Sequence, residues 1–153
     1  MMQIGVIGSG ECSLKTKKLA EEVGKEIARR GATLICGGLG GVMEAAAKGA
    51  KMAGGLTVGI IPGSNPEEAN PYIDVVVVTG MSYARNIIVV RSSDAIIAIE
   101  GRYGTLSEIA YALQLRKPVV GLNTPWNISE EIINSSSPVE AVEMAIDRAR
   151  GKM

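Results

Sequence analysis

The chain has no histidine, no phenylalanine and a single tryptophan. Lacking histidine, it lacks the commonest general base near neutral pH and the commonest protein ligand for zinc, copper and iron, which argues against a catalytic transition metal held by the chain. No metal ligands are expected. Charge of one sign is not in excess either: sixteen Lys and Arg balance sixteen Asp and Glu. That neutrality provides no long-range field to gather a nucleic acid or an anionic membrane, so neither is expected as a partner. Cysteine is scarce, with Cys12 and Cys36 far apart and outside any C-x-x-C spacing, as in a reducing, cytoplasmic compartment. No apolar run approaches the roughly 18 residues of a membrane span, and no charged leader precedes the first apolar run. The expectation is a soluble cytoplasmic protein.

Glycine, by contrast, is abundant at 19 of 153 residues. With few aromatic rings available, backbone N–H groups freed by glycine are the natural ligand contacts, and these suit a phosphate. The length fits one compact domain spanning residues 1–153. Short Ile- and Val-rich runs at residues 3–8, 33–36, 56–61, 74–78, 95–99 and 118–122 alternate with amphipathic stretches. This pattern predicts α/β class: a single-domain Rossmann-like three-layer α/β/α sandwich around a mostly parallel sheet of about six or seven strands. Val75-Val76-Val77-Val78 lacks polar alternation, as expected of a strand buried on both faces. Leu19, Val23 and Ile27 give residues 14–30 one buried helical face. The segments 42–52, 83–90 and 106–115 are apolar all round, predicting burial by a second layer or by a partner subunit, and in the second case a homodimer or higher homo-oligomer. Ser137-Pro138-Val139-Glu140 announces a last helix, and residues 123–136 before it read as a surface connection with one helical turn at 129–133.

Ligands of open parallel sheets bind beyond the carboxyl ends of the strands. Gly8-Ser9-Gly10 follows the first strand, Gly37-Gly38-Leu39-Gly40-Gly41 the second, Thr79-Gly80-Met81 the fourth and Gly101-Arg102-Tyr103-Gly104-Thr105 the fifth. Gly8-Ser9-Gly10 continues without a third glycine, and no Gly-Lys-Ser or Gly-Lys-Thr occurs, so neither a dinucleotide fingerprint nor a Walker loop is present. That first turn is either a tight connection or part of the site. The segment from Gly101 to Thr105 is more specific: two glycines let the backbone close on an anion, and Thr105 is read as opening a helix whose free N–H groups and dipole face it. Glu108 has two readings, a carboxylate facing the ligand or the far end of a Thr105-x-x-Glu108 capping box. Arg85 likewise either pairs with a structural carboxylate or faces an anionic ligand, since it adjoins a segment too apolar for a lone charge. An Arg and a Glu converging from neighbouring strand ends suit cleavage of a glycosidic bond through an oxocarbenium-like transition state.

Four blocks carry a resemblance: Gly37-Gly38-x-x-Gly41-Val42-Met43-Glu44, Gly59-Ile60-Ile61-Pro62, the run from Met81 to Asn86, and Gly101-x-x-Gly104-Thr105-x-x-Glu108. In this order they resemble the LONELY GUY-type phosphoribohydrolases and their relatives, which include the molybdenum cofactor carrier proteins, proteins labelled "possible lysine decarboxylase" and, more distantly, the DNA-processing protein DprA. The resemblance implies a site that binds a small phosphorylated ligand: a nucleoside monophosphate, free phosphate or the molybdenum cofactor. It implies no required cofactor. It places the hydrolases' catalytic arginine on Arg85, their catalytic glutamate on Glu108 and their phosphate loop on residues 101–105. Gly8, Ser9, Gly10, Gly38, Gly41, Glu44, Asn86, Arg102 and Tyr103 complete the candidate ligand contacts.

The chain departs from the hydrolase pattern in three places. Glu100-Gly101-Arg102 stands for Pro-Gly-Gly, Asn86 for a lysine, and Glu44 for a glycine. The last of these, with Asn86, is closer to the carrier-like branch. Two functions from different classes follow. One is a carrier-like protein that holds a phosphorylated pterin or nucleotide, and the other is a metal-free nucleoside 5′-monophosphate phosphoribohydrolase using Arg85 and Glu108. No pyridoxal phosphate lysine motif is found, and a lysine decarboxylase is set aside.

Overall fold

The computed structural model describes residues 1–151. In chain order the elements are β1 (Gln3–Gly8), α1 (Leu14–Arg29), β2 (Thr33–Cys36), α2 (Val42–Met52), β3 (Thr57–Ile61), β4 (Val75–Val78), α3 (Asn86–Arg91), β5 (Ala95–Ile99), α4 (Tyr103–Gln114), β6 (Val119–Leu122), β7 (Ile132–Ser135) and α5 (Pro138–Arg150). Seven strands form one sheet in the order β4-β3-β2-β1-β5-β6-β7, and every pairing is parallel. It is the Rossmann-like α/β architecture expected from the alternation of apolar runs.

Apart from Gln3 and Thr33 at their first positions, the central strands are apolar because consecutive side chains enter opposite cores. Val6, Leu34 and Ile97 join Val23, Ile27, Ala46 and Ile146 of α1, α2 and α5, while Ile7, Ile35 and Ile96 join Val89, Val90 and Ile109 of α3 and α4. With side-chain period 2 and helices on both faces, neither parity of residue can be polar. Each fully buried Ile or Val contributes about 1.5–3 kcal/mol relative to exposure. Helices α1 and α2 meet at glycines: a Cβ on Gly24 would lie 1.9 Å from the Ala46 carbonyl oxygen, and one on Gly49 1.9 Å from that of Glu21. Helix α5 starts as its sequence predicts, with the Glu140 N–H donating to Ser137 Oγ at 3.1 Å and Pro138 in the first turn.

Four local expectations are corrected. Residues 74–78 are not buried on both faces. Val75, Val77 and Val78 are exposed, because β4 is the outermost strand and pairs only with β3. The stretch 123–136 is not all connection. Residues 132–135 form β7, an outer strand beside β6 in which only Ile132 is fully buried and Ser135 Oγ donates to the Gly121 carbonyl at 2.7 Å. One neighbour and one buried side chain leave too little apolar signal to read from sequence. The helix expected from residue 83 begins at Asn86, after a 3-10 turn at Ser82–Arg85. The helix expected to open at Thr105 begins at Tyr103.

Candidate functional site

Strand order reverses direction between β1 and β5, the point at which the helices following neighbouring strands diverge to opposite faces and leave a crevice at the carboxyl ends. The turn Gly8-Ser9-Gly10 after β1 forms one wall. The other is the N-terminus of α4, with Arg102, Gly104 and Thr105. Arg85, Asn86 and Glu108 also line this crevice, which encloses about 160 Å³. Residues 77 positions apart in sequence at Ser9 and Asn86 are thus neighbours of one small space.

Helix α4 carries no side-chain cap. The Leu106 N–H is the first to find a backbone acceptor, the Arg102 carbonyl at 3.0 Å. The N–H groups of Tyr103, Gly104 and Thr105 precede it and have no partner within the helix. They carry the positive end of its dipole beside Gly8-Ser9-Gly10. The loop entering α4 is held from behind. Gly101 has φ +102°, and Glu100 takes φ +47°, a region that disfavours a residue with a side chain. Thr124 Oγ1 donates to the Glu100 carbonyl at 2.9 Å, Trp126 Nε1 to the Gly101 carbonyl at 3.1 Å, and Thr16 Oγ1 to the Glu100 carboxylate. Where the hydrolases carry proline, Glu100 ties the loop to the start of α1.

Arg85 is buried without an ion pair among the described residues. Its guanidinium donates through Nε to the Ile60 carbonyl at 2.9 Å, through Nη2 to the Gly37 carbonyl at 3.2 Å, and through Nη1 to Asn86 Oδ1. Asn86 Nδ2 in turn donates to Ser107 Oγ on α4 at 3.3 Å. Asparagine at this position therefore links the arginine to the helix, a link that a lysine, having no acceptor, would not make. Gly37 leaves room for it, since a Cβ there would lie 2.5 Å from Arg85 Nη2 and displace the guanidinium from these contacts. Burial lowers the Arg85 pKa and the nearby Glu108 charge opposes that shift.

Glu108 lies in the second turn of α4, so Thr105 and Glu108 form no capping box at its start. It is 7% exposed and forms no side-chain hydrogen bond or ion pair among the described residues. Burial pushes its pKa up to about 8, and the positive charge of Arg85 limits the rise. At neutral pH the group is mainly a neutral acid, able to donate a hydrogen bond into the crevice.

Of the other residues singled out in the sequence, Gly101 and Tyr103 flank the crevice without lining it. Gly38 packs against Ile61, and Gly41 stands at the start of α2 against Ser9 and Gly10. Glu44 borders a separate depression between α1 and α2, with Lys17, Lys18 and Lys48. Five lining residues were not singled out: Val6 and Ile7 at the end of β1, and Gly37, Met43 and Tyr83. Gly37 and Met43 lay inside a recognised block. Tyr83 lay inside another, the run from Met81 to Asn86, as an aromatic residue two positions before the arginine. Among the described residues no group of His, Cys, Asp or Glu is placed to hold a metal ion. Nor, among these residues, is any helix long and apolar enough to cross a membrane.

A model of the SLOG cluster4 family matches residues 1–150. The chain belongs to the SLOG cluster4 family. An uncharacterized protein of Archaeoglobus fulgidus is 51% identical over 146 residues, 95% of either chain. A cytokinin riboside 5′-monophosphate phosphoribohydrolase of Mycobacterium tuberculosis is 40% identical over 119 residues, which are 71% of this chain and 63% of that enzyme. The solved structure of a molybdenum cofactor binding protein from Rippkaea orientalis matches with TM-score 0.90 and 39% identity, over 95% of this chain and 96% of that one. This SLOG cluster4 protein is thus similar to a nucleotide-cleaving enzyme over part of its length and to a cofactor-binding protein over nearly all of it.

Proposed function

We propose that the crevice between β1 and β5 holds a small ligand by its phosphate and does not turn it over, as a carrier would. The phosphate would take the three unpartnered N–H groups at the start of α4, with Arg102 adding positive charge at the rim and Gly8-Ser9-Gly10 closing the opposite side. A nucleoside monophosphate, free phosphate and a molybdopterin all present this group. For a molybdopterin, the chain's own contribution would be phosphate anchorage and contacts to the ring.

The observation that carries the carrier reading is the engagement of Arg85. Its donors already satisfy two backbone carbonyls and Asn86, so the side chain is built into the framework rather than left to respond to charge developing on a substrate. A mainly neutral Glu108 fits the same reading, because an uncharged acid tolerates a phosphate beside it but gives little stabilisation to an oxocarbenium ion. The hydrolase reading keeps one favourable observation: Arg85 and Glu108 do line the same crevice.

Incubation of the purified protein with AMP in the presence of EDTA separates the two. Calorimetry should show AMP binding while chromatography shows no adenine. Adenine released by the wild type but not by Glu108→Gln would establish the hydrolase instead.

A further inference from the structure

We infer that Tyr83 is the platform on which the planar heterocycle of the ligand stacks. This rests on reading the crevice as a phosphate-anchored site. The enclosed space of about 160 Å³ is well below the ~300–1,000 Å³ of sites that swallow a whole drug-sized ligand. With the phosphate at the start of α4, the ring system of a nucleotide or pterin has to emerge at the rim. Tyr83 is the one aromatic side chain lining the crevice, and it is 83% exposed.

Aromatic residues are few in this chain, and none is among the buried residues of either core, though Tyr72 packs against one and Trp126 against the other. Tyr72 and Trp126 are half-buried, and Tyr83, Tyr103 and Tyr111 are exposed. Aliphatic packing therefore supplies most of the fold, and the three exposed tyrosine rings are left for surface roles. Tyr103 already has a neighbour, with its centroid 6.0 Å from that of Trp126. Tyr83 has none.

Its backbone is nevertheless fixed. The Gly80 N–H donates to the Gly63 carbonyl at 2.9 Å, the Ser82 N–H to the Pro62 carbonyl at 3.0 Å, and the Ala84 N–H to the Met81 carbonyl at 3.2 Å. Two residues on, buried Arg85 pins the same turn to the ends of β2 and β3. An exposed ring on a held turn offers a flat apolar face with little ordering cost on binding. Stacking of this kind tolerates different heterocycles, since each has a π face.

The test compares AMP with ribose 5-phosphate, which carries the same phosphate and sugar but no base. Calorimetry on wild type, Tyr83→Ala and Tyr83→Phe should show that alanine weakens AMP about tenfold and leaves ribose 5-phosphate unchanged, while phenylalanine keeps AMP affinity. Equal AMP affinity in wild type and Tyr83→Ala overturns the inference. So does an equal loss for both ligands, which would make Tyr83 part of the phosphate anchorage or, with a change in sedimentation, of a subunit contact. If the wild type binds neither ligand, the phosphate-anchored site itself is refuted, and the stacking role falls with it.

Discussion

At the scale of single residues, Glu108 shows how burial changes what a side chain can do. An Asp or Glu on a helix surface is a charge, whereas Glu108, enclosed and, among the described residues, without a cation at ion-pair distance, holds its proton up to about pH 8. The folded state therefore binds this proton more tightly than the unfolded chain, whose carboxyl titrates near 4.5. The contribution to folding is full below that lower value and is lost as pH rises through about 8. Thermal unfolding of the ligand-free wild type should show stability falling between about pH 5 and 8, by on the order of 4 kcal/mol, and levelling above. Glu108→Gln should flatten that profile. A wild-type profile already flat over this range would mean that the carboxylate is ionised at neutral pH, and the hydrolase reading would gain. Arg85 shows the complementary effect. Its charge looked in need of an anion, yet it is accommodated by backbone carbonyls and an amide, which are polar without being charged.

At the scale of elements, glycines of the same composition serve opposite purposes. Gly24 lets α1 approach the backbone of α2, and a methyl group there would meet the Ala46 carbonyl at 1.9 Å. Backbone cannot yield as a side chain can, so Gly24→Ala should destabilise by about 1–3 kcal/mol or more, read as a lowered Tm. Gly104 stands in the first turn of α4, where an added Cβ would meet nothing closer than Asn86 Nδ2 at 3.9 Å. Gly104→Val should leave Tm nearly unchanged and place its methyl groups over the free N–H groups, abolishing AMP binding by calorimetry. Retention of full affinity would move the phosphate away from α4. The start of α4 also shows why the Thr105 reading missed. Thr-x-x-Glu is a capping signature, but the loop at Glu100 and Gly101, held by Thr16, Thr124 and Trp126, lets the helix begin two residues earlier.

At the scale of the whole molecule, β4 leaves Val75, Val77 and Val78 in solvent on an outer strand with no charged residue or proline to blunt its edge. If two copies of the chain associate, this edge, rather than the apolar segments 42–52, 83–90 and 106–115, offers the contact, one copy's edge pairing with the other's about a two-fold axis. Sedimentation should show a dimer that Val77→Lys dissociates, and a wild-type monomer at micromolar concentration would refute this. The sequence by itself determined the parallel sheet, because strands covered on both faces can hold only apolar residues, and that pattern survives in any single chain. It also determined the glycine-rich strand ends and marked Arg85 and Glu108 as candidates, since both belong to recognisable local blocks. Only the tertiary structure decided that β4 and β7 lie at the edges, that Glu44 looks into a different depression, and that Tyr83 overhangs the crevice. Strand order and the convergence of loops depend on contacts between residues far apart in the chain, and no local pattern of spacing encodes those.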